Sequence, residues 1–178
     1  PITKFEDFTG LKLRIVPNAI MVDSFKEMGA FAVPMAFTEL YTALETKAVD
    51  GQENPFNITE LSKFHEVQKY LSLTRHMYNP AMLVYSRKLF DQLSAEEQGA
   101  LRECAQDARI EQRRINRQQA AESLNRLKSH GLAVNDIPPA EIARMRDKVQ
   151  PVYDRQVPAI GKEMMSLVDA ELKKVRAP

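Results

Sequence analysis

The chain has 178 residues, 44% hydrophobic and 28% charged, the balance of a folded chain of one domain or slightly more and not of a disordered one. Lys plus Arg number 25 against 24 for Asp plus Glu, so nothing argues for a nucleic acid duplex or an anionic membrane as partner. No run approaches the roughly 18 apolar residues of a transmembrane helix, and a single cysteine, Cys104, excludes an intrachain disulfide.

The chain opens at Pro1 with neither a methionine nor a signal sequence, so a processed or truncated chain is expected. Leu11 to Val16, LKLRIV, reads as a strand with Leu11, Leu13 and Ile15 on one face and Lys12, Arg14 and Val16 on the other. Pro17-Asn18 ends it. Asn18 is placed to cap a helix from Ala19 to Met28, where Met21, Val22, Phe25 and Met28 fall at helical spacing, and Gly29 stops it. FAVPMA, Phe31 to Ala36, is a second strand whose Pro34 suggests a sheet edge or an irregular end. Thr38 is placed to cap a helix to about Thr46 that buries Leu40, Ala43 and Leu44. Strand, helix, strand, helix implies a βαβ unit with a parallel pair and a right-handed crossover.

VDGQENP, Val49 to Pro55, follows as a turn, then a short helix near Ile58 to Lys63. Two extended stretches, KYLSLTRHM and AMLVYS, flank Tyr78-Asn79-Pro80, and Ser86 is placed to cap the short helix RKLFDQL. Ser94 and Glu97 form a capping box for a helix running to His130, with Gly131 as terminator. At 1.5 Å per residue this helix is roughly 50 Å long. Its apolar stripe of Leu101, Cys104, Ala108, Ile115, Ala120, Leu124 and Leu127 is thin in the middle. GLAVNDIP is a short strand, Pro138-Pro139 starts a helix of about ten residues, and Val152 to Val175 is helical with a break near Pro158 to Gly161.

His65, His76 and His130 lack paired spacing and a cysteine partner, so a structural or surface role is expected over a metal site. Cys104 lies on an apolar stripe and reads as a buried, inert thiol. RIEQRRINR has no aromatic residue among its arginines and reads as a solvated helix face. Arg14 stands near the C-terminal end of a strand, the edge where open α/β sheets bind ligands. There it is either an anion ligand, since its planar fork fits a carboxylate, or a structural or surface arginine. Phe37, at the corresponding edge of the next strand, reads by itself as core. Asn54 precedes Pro55, which holds it extended, and reads by itself as a turn residue whose amide can donate and accept.

GLKLRIVPN, PMAFTELYTALETKAVDGQENP, KFHEVQKYLSLTRH and LFDQLSAEEQ together resemble the substrate-binding proteins of tripartite ATP-independent periplasmic (TRAP) transporters, the DctP-like family, from about Phe8 to at least Gly131. The resemblance implies an α/β, periplasmic-binding-protein-like clamp of the class II type. This chain would supply mainly the second domain: residues 1–93 an α/β domain with the ligand-binding strand ends, 94–131 the long connecting helix, 132–178 a C-terminal strand and helices. Members of the family are longer, and the missing N-terminal part supplies most of the first domain and a second pocket arginine. The family's carboxylate-binding arginine matches Arg14, its pocket phenylalanine Phe37, and its ligand-contacting asparagine Asn54. The implied function is an extracytoplasmic, periplasmic receptor that captures a small organic acid and hands it to membrane permease subunits, with no catalysis, cofactor, metal or nucleic acid partner. Self-association of the truncated chain through exposed apolar surface is a further expectation. The alternatives are a ligand-sensing input domain of the same fold, a fragment without function, and an enzyme, for which His65 and Glu53 are the only candidate groups.

Overall fold

Leu13 and Ile15 carry the apolar alternation of the first strand, and in the computed structural model, which describes residues 1–176, it is β1 (Lys12–Ile15). β1 is the middle strand of a three-stranded sheet with β2 (Phe31–Pro34) on one side and β3 (Gly51–Gln52) on the other, both parallel to it. β2 is an edge strand, and Pro34 closes its register opposite Ile15, where the missing N–H costs no ladder bond on the outer side. α1 (Ala19–Glu27) connects β1 to β2. The Asn18 side chain accepts the Met21 N–H at 3.2 Å, and Gly29 takes φ +92° just past the end, so both ends match their signals.

Between β2 and β3 the chain makes a 3-10 turn at Phe37–Glu39 and then α2 (Leu40–Glu45), which buries Leu40, Ala43 and Leu44. Thr38 is therefore not the cap expected of it. It lies inside the 3-10 turn, whose preceding residue, Ala36, offers no side-chain bond. α3 (Phe56–Leu61) starts directly after Pro55. β4 (Tyr70–Leu73) is the strand of KYLSLTRHM, but AMLVYS forms none: no regular element occupies residues 74–86. Ser86 does precede α4 (Arg87–Phe90) but makes no capping bond.

α5 (Ala95–Ser129) carries the expected capping box. Ser94 accepts the Glu97 N–H at 3.3 Å while Glu97 accepts the Ser94 N–H at 2.8 Å, and Gly131 at φ +92° follows the C-terminus. β5 (Ala133–Asp136) pairs with β4 in a two-stranded sheet. α6 runs from Pro139 to Ile160, about twice the expected length, because Pro151 is accommodated within the helix. The break comes at Gly161, φ +95°, before α7 (Lys162–Arg176).

The chain divides into two compact units. The first comprises residues 1–53, 70–74 and those from Val134 onward, and its core joins Phe8, Ile15, Phe25, Met28, Ala30, Ile137 and Met145. Phe8 and Phe25 meet edge to face with ring centroids 6.1 Å apart. The three segments are laced by Ser72: its Oγ accepts the Ile2 N–H at 2.8 Å and donates to Asn135 Oδ1 at 2.9 Å, while Asn135 Nδ2 donates to the Ile2 carbonyl at 2.7 Å.

The second unit, residues 54–69 and 75–133, packs α3 on the C-terminal part of α5, burying Phe64, Ser123, Leu127 and Leu132. Only there is the α5 stripe covered. Leu101, Cys104, Ala108 and Ile115 are exposed, so Cys104 is not the buried thiol that its spacing suggested. His65 and His130 stack with centroids 4.4 Å apart in this unit, a packing role in line with the reading of isolated histidines.

Candidate functional site

Three parallel strands put three C-terminal ends along one sheet edge, and Arg14, Phe37 and Glu53 all stand at those ends. Arg14 is in the last turn of pleat of the central strand, Phe37 opens the 3-10 turn after β2, and Glu53 directly follows β3. In open α/β sheets this edge is where ligands lie.

Arg14 does not point to a solvated face. It is 1% exposed, as enclosed as Ile15 beside it at 0%, so both faces of β1 are covered at its C-terminal end. Its position on the side opposite Leu13 and Ile15 was legible in the alternation, but its burial was not. Nε donates to the carbonyl oxygen of Met35 at 2.9 Å, which ties the guanidinium to the exit of β2. The guanidinium carbon lies 5.8 Å from the centre of the Phe37 ring, within cation–π range. Nη1 is buried and has no hydrogen-bond partner among the described residues. Burial pushes the guanidinium below its ordinary value, and the negative charge of Glu53 opposes this.

A guanidinium has five donors and no acceptor. Leaving a buried donor unmade costs about 1–3 kcal/mol, a cost an oxygen anion would remove. Because Nε is already committed to Met35, a carboxylate can approach only the Nη end. Phe37, 46% exposed, leaves part of its ring open beside that cation for the carbon skeleton of a ligand.

The structure thus brings Arg14 and Phe37 together. Asn54, the third residue singled out in the sequence, is half-buried, lies two residues beyond Gln52, and opens the other unit. Gln52 itself is the register partner of Arg14 on β3. Two participants escaped the sequence reading. Met35 acts through its backbone carbonyl, which leaves no side-chain signal. Glu53, named in the sequence only as a candidate group for an enzyme, is marked here by its electrostatic effect on a buried cation.

Residues 1–158 match the family model for bacterial extracellular solute-binding protein, family 7, DctP. The 2,3-diketo-L-gulonate-binding periplasmic protein YiaO of Escherichia coli is 36% identical over 171 residues, 95% of this chain and 52% of that protein. Among solved structures, a TRAP periplasmic solute-binding protein from Ochrobactrum anthropi, with its C-terminus bound in the ligand-binding pocket, is 46% identical with a TM-score of 0.91, covering 99% of this chain and 55% of that one. The sugar acid binding protein DctPAm from Advenella mimigardefordensis, in complex with galactonate, is 43% identical with a TM-score of 0.89, over 97% of this chain and 56% of that one. The chain therefore spans about half the length of the relatives it matches.

Proposed function

The chain belongs to family 7 of the bacterial extracellular solute-binding proteins, the DctP family, which are solute receptors and not enzymes, and from that membership we propose that it forms the carboxylate-holding part of a TRAP transporter's periplasmic receptor. The ligand is a small organic acid, and the sugar acids bound by the diketogulonate and galactonate relatives give the class to try first. Arg14 holds the ligand carboxylate at its Nη end, Phe37 packs against the carbon skeleton, and Asn54 hydrogen-bonds to the carboxylate or a neighbouring oxygen. In the family-length receptor, closure over the acid excludes water and strengthens the ion pair. The loaded, closed state is the one the membrane permease accepts, since only differential contact with one state can signal occupancy.

One observation carries this reading: a cation buried to 1% exposure at the ligand edge of a parallel sheet, with Nη1 lacking a hydrogen-bond partner among the described residues. Arg14→Lys keeps the charge but loses the planar fork. In the family-length receptor its affinity for galactonate should fall by about 1.5 kcal/mol or more, roughly tenfold. Calorimetry measures this, and an unchanged dissociation constant removes Arg14 from the site.

A further inference from the structure

One short segment of chain, Met35 to Phe37, touches the Arg14 guanidinium twice. Nε donates to the Met35 carbonyl at 2.9 Å, and the guanidinium carbon lies 5.8 Å from the centre of the Phe37 ring. We propose that Met35 is a positioning residue of the carboxylate site: its backbone carbonyl, together with the Phe37 ring, fixes the Arg14 guanidinium with its Nη end presented before any ligand arrives. The inference rests on the reading that Arg14 takes the ligand carboxylate.

A guanidinium is planar, so a bond in its plane and a ring against its face restrain different motions. The Met35 bond opposes rotation within the plane, and the ring opposes tilting. The Met35 backbone is itself fixed. Its N–H donates to the Ile15 carbonyl at 3.2 Å, which carries the β1–β2 pairing one residue past Pro34. The next two carbonyls are committed to the 3-10 turn: Ala36 accepts the Glu39 N–H at 3.3 Å, and Phe37 accepts the Leu40 N–H. Met35 thus offers the last carbonyl before the turn, and Leu40, at 0% exposure, anchors that turn. With Nε occupied, a side-on approach through Nε and one Nη is closed. The two-oxygen contact that remains is end-on, through Nη1 and Nη2. A long side chain that is already ordered gives up less freedom when it binds, so the tether raises affinity without touching the ligand. A guanidinium enclosed but untethered would leave that ordering to the ligand.

The test weakens one acceptor. In the family-length receptor containing this chain, L-lactate in place of Ala36 turns the Met35 carbonyl from an amide into an ester, a poorer acceptor. The Ala36 N–H that this deletes makes no backbone hydrogen bond among the described residues. Affinity for galactonate, measured by calorimetry, should fall at least about threefold. Side-chain NMR of the ligand-free receptor should show separate Arg14 Nη1 and Nη2 signals in the parent, the mark of restricted rotation, and averaged signals in the ester. Unchanged affinity overturns the inference. So does a fall in affinity with the Nη signals still separate, because the ester then acts through the fold at large. If the ester chain does not fold, the parent decides: separate signals without ligand support the inference, and signals that separate only with galactonate bound overturn it. Arg14→Lys is measured alongside. If it weakens binding while the ester does not, the positioning role falls and the carboxylate reading stands. If it leaves binding unchanged, the carboxylate reading falls and the positioning role with it.

Discussion

Arg126 and Glu60 show how much a single residue pair can do outside the ligand edge. The guanidinium donates to both Glu60 oxygens, through Nε and through Nη2 at 3.0 Å, and holds the carboxyl at about 2 against an ordinary 4.5. Ser123 adds a hydrogen bond in the same direction. A carboxyl whose folded value lies below its unfolded one binds fewer protons when folded. Its contribution to stability is thus complete above about 4.5 and is lost as pH falls toward 2. Glu60→Gln should lower stability at pH 7 by about 1 kcal/mol, the upper end for a partly exposed pair. It should also flatten the pH dependence between those two values, which urea melts at pH 7 and pH 3 would measure. An equal loss at both pH values would show that packing, not charge, carries the effect. This pair joins residues 66 apart and left no trace in the sequence. Arg14 was legible as a strand-end arginine because alternation is local. Its tether to Met35 was not, because a backbone carbonyl looks the same in every residue.

At the scale of elements, local chemistry was readable wherever it is decided within a few residues. Asn18, Gly29, Ser94 with Glu97, and Gly131 all act where their types predict, because a cap is satisfied by its own first or last turn. Ser94→Ala removes the acceptor of the Glu97 N–H and the anchor of the reciprocal bond. It should cost about 1 kcal/mol and speed amide exchange in the first turn of α5. Exchange unchanged over residues 95–98 would mean that the box is redundant. Gly29 is a stricter case. At φ +92°, with a built Cβ meeting Thr9 Oγ1 at 3.4 Å, Gly29→Ala should destabilise the protein by about 1 kcal/mol in thermal melts, mostly from backbone strain. Elements whose extent depends on distant packing were misread. α6 continues through Pro151 because Met145 on one side and Val152 on the other are buried and hold the helix together across the missing hydrogen bond. The helix expected from Thr38 begins two residues later because Phe37–Glu39 tighten into a 3-10 turn.

For the molecule as a whole, the run from Met82 to Tyr85 is a continuous stretch of apolar side chains left open to solvent. Four consecutive apolar residues in the extended stretch AMLVYS would ordinarily be buried. Instead Met82, Leu83 and Val84 are 84%, 78% and 79% exposed, and Tyr78 and Tyr85 are exposed with them. Side chains of this size each lose up to about 1.5–3 kcal/mol by staying in water, and contiguous apolar surface in a water-soluble protein marks an interface. The chain covers 52% to 56% of the three relatives named above. We therefore expect the 178-residue chain to self-associate as its concentration rises. Light scattering should show a mass that grows with concentration, and the double variant Leu83→Lys with Val84→Lys should reduce that growth, since it places charge in the patch without touching a buried residue. A constant monomer mass at high concentration sinks the expectation, and growth unaffected by the double variant moves the interface elsewhere, with the exposed Leu167 and Val168 of α7 next in line.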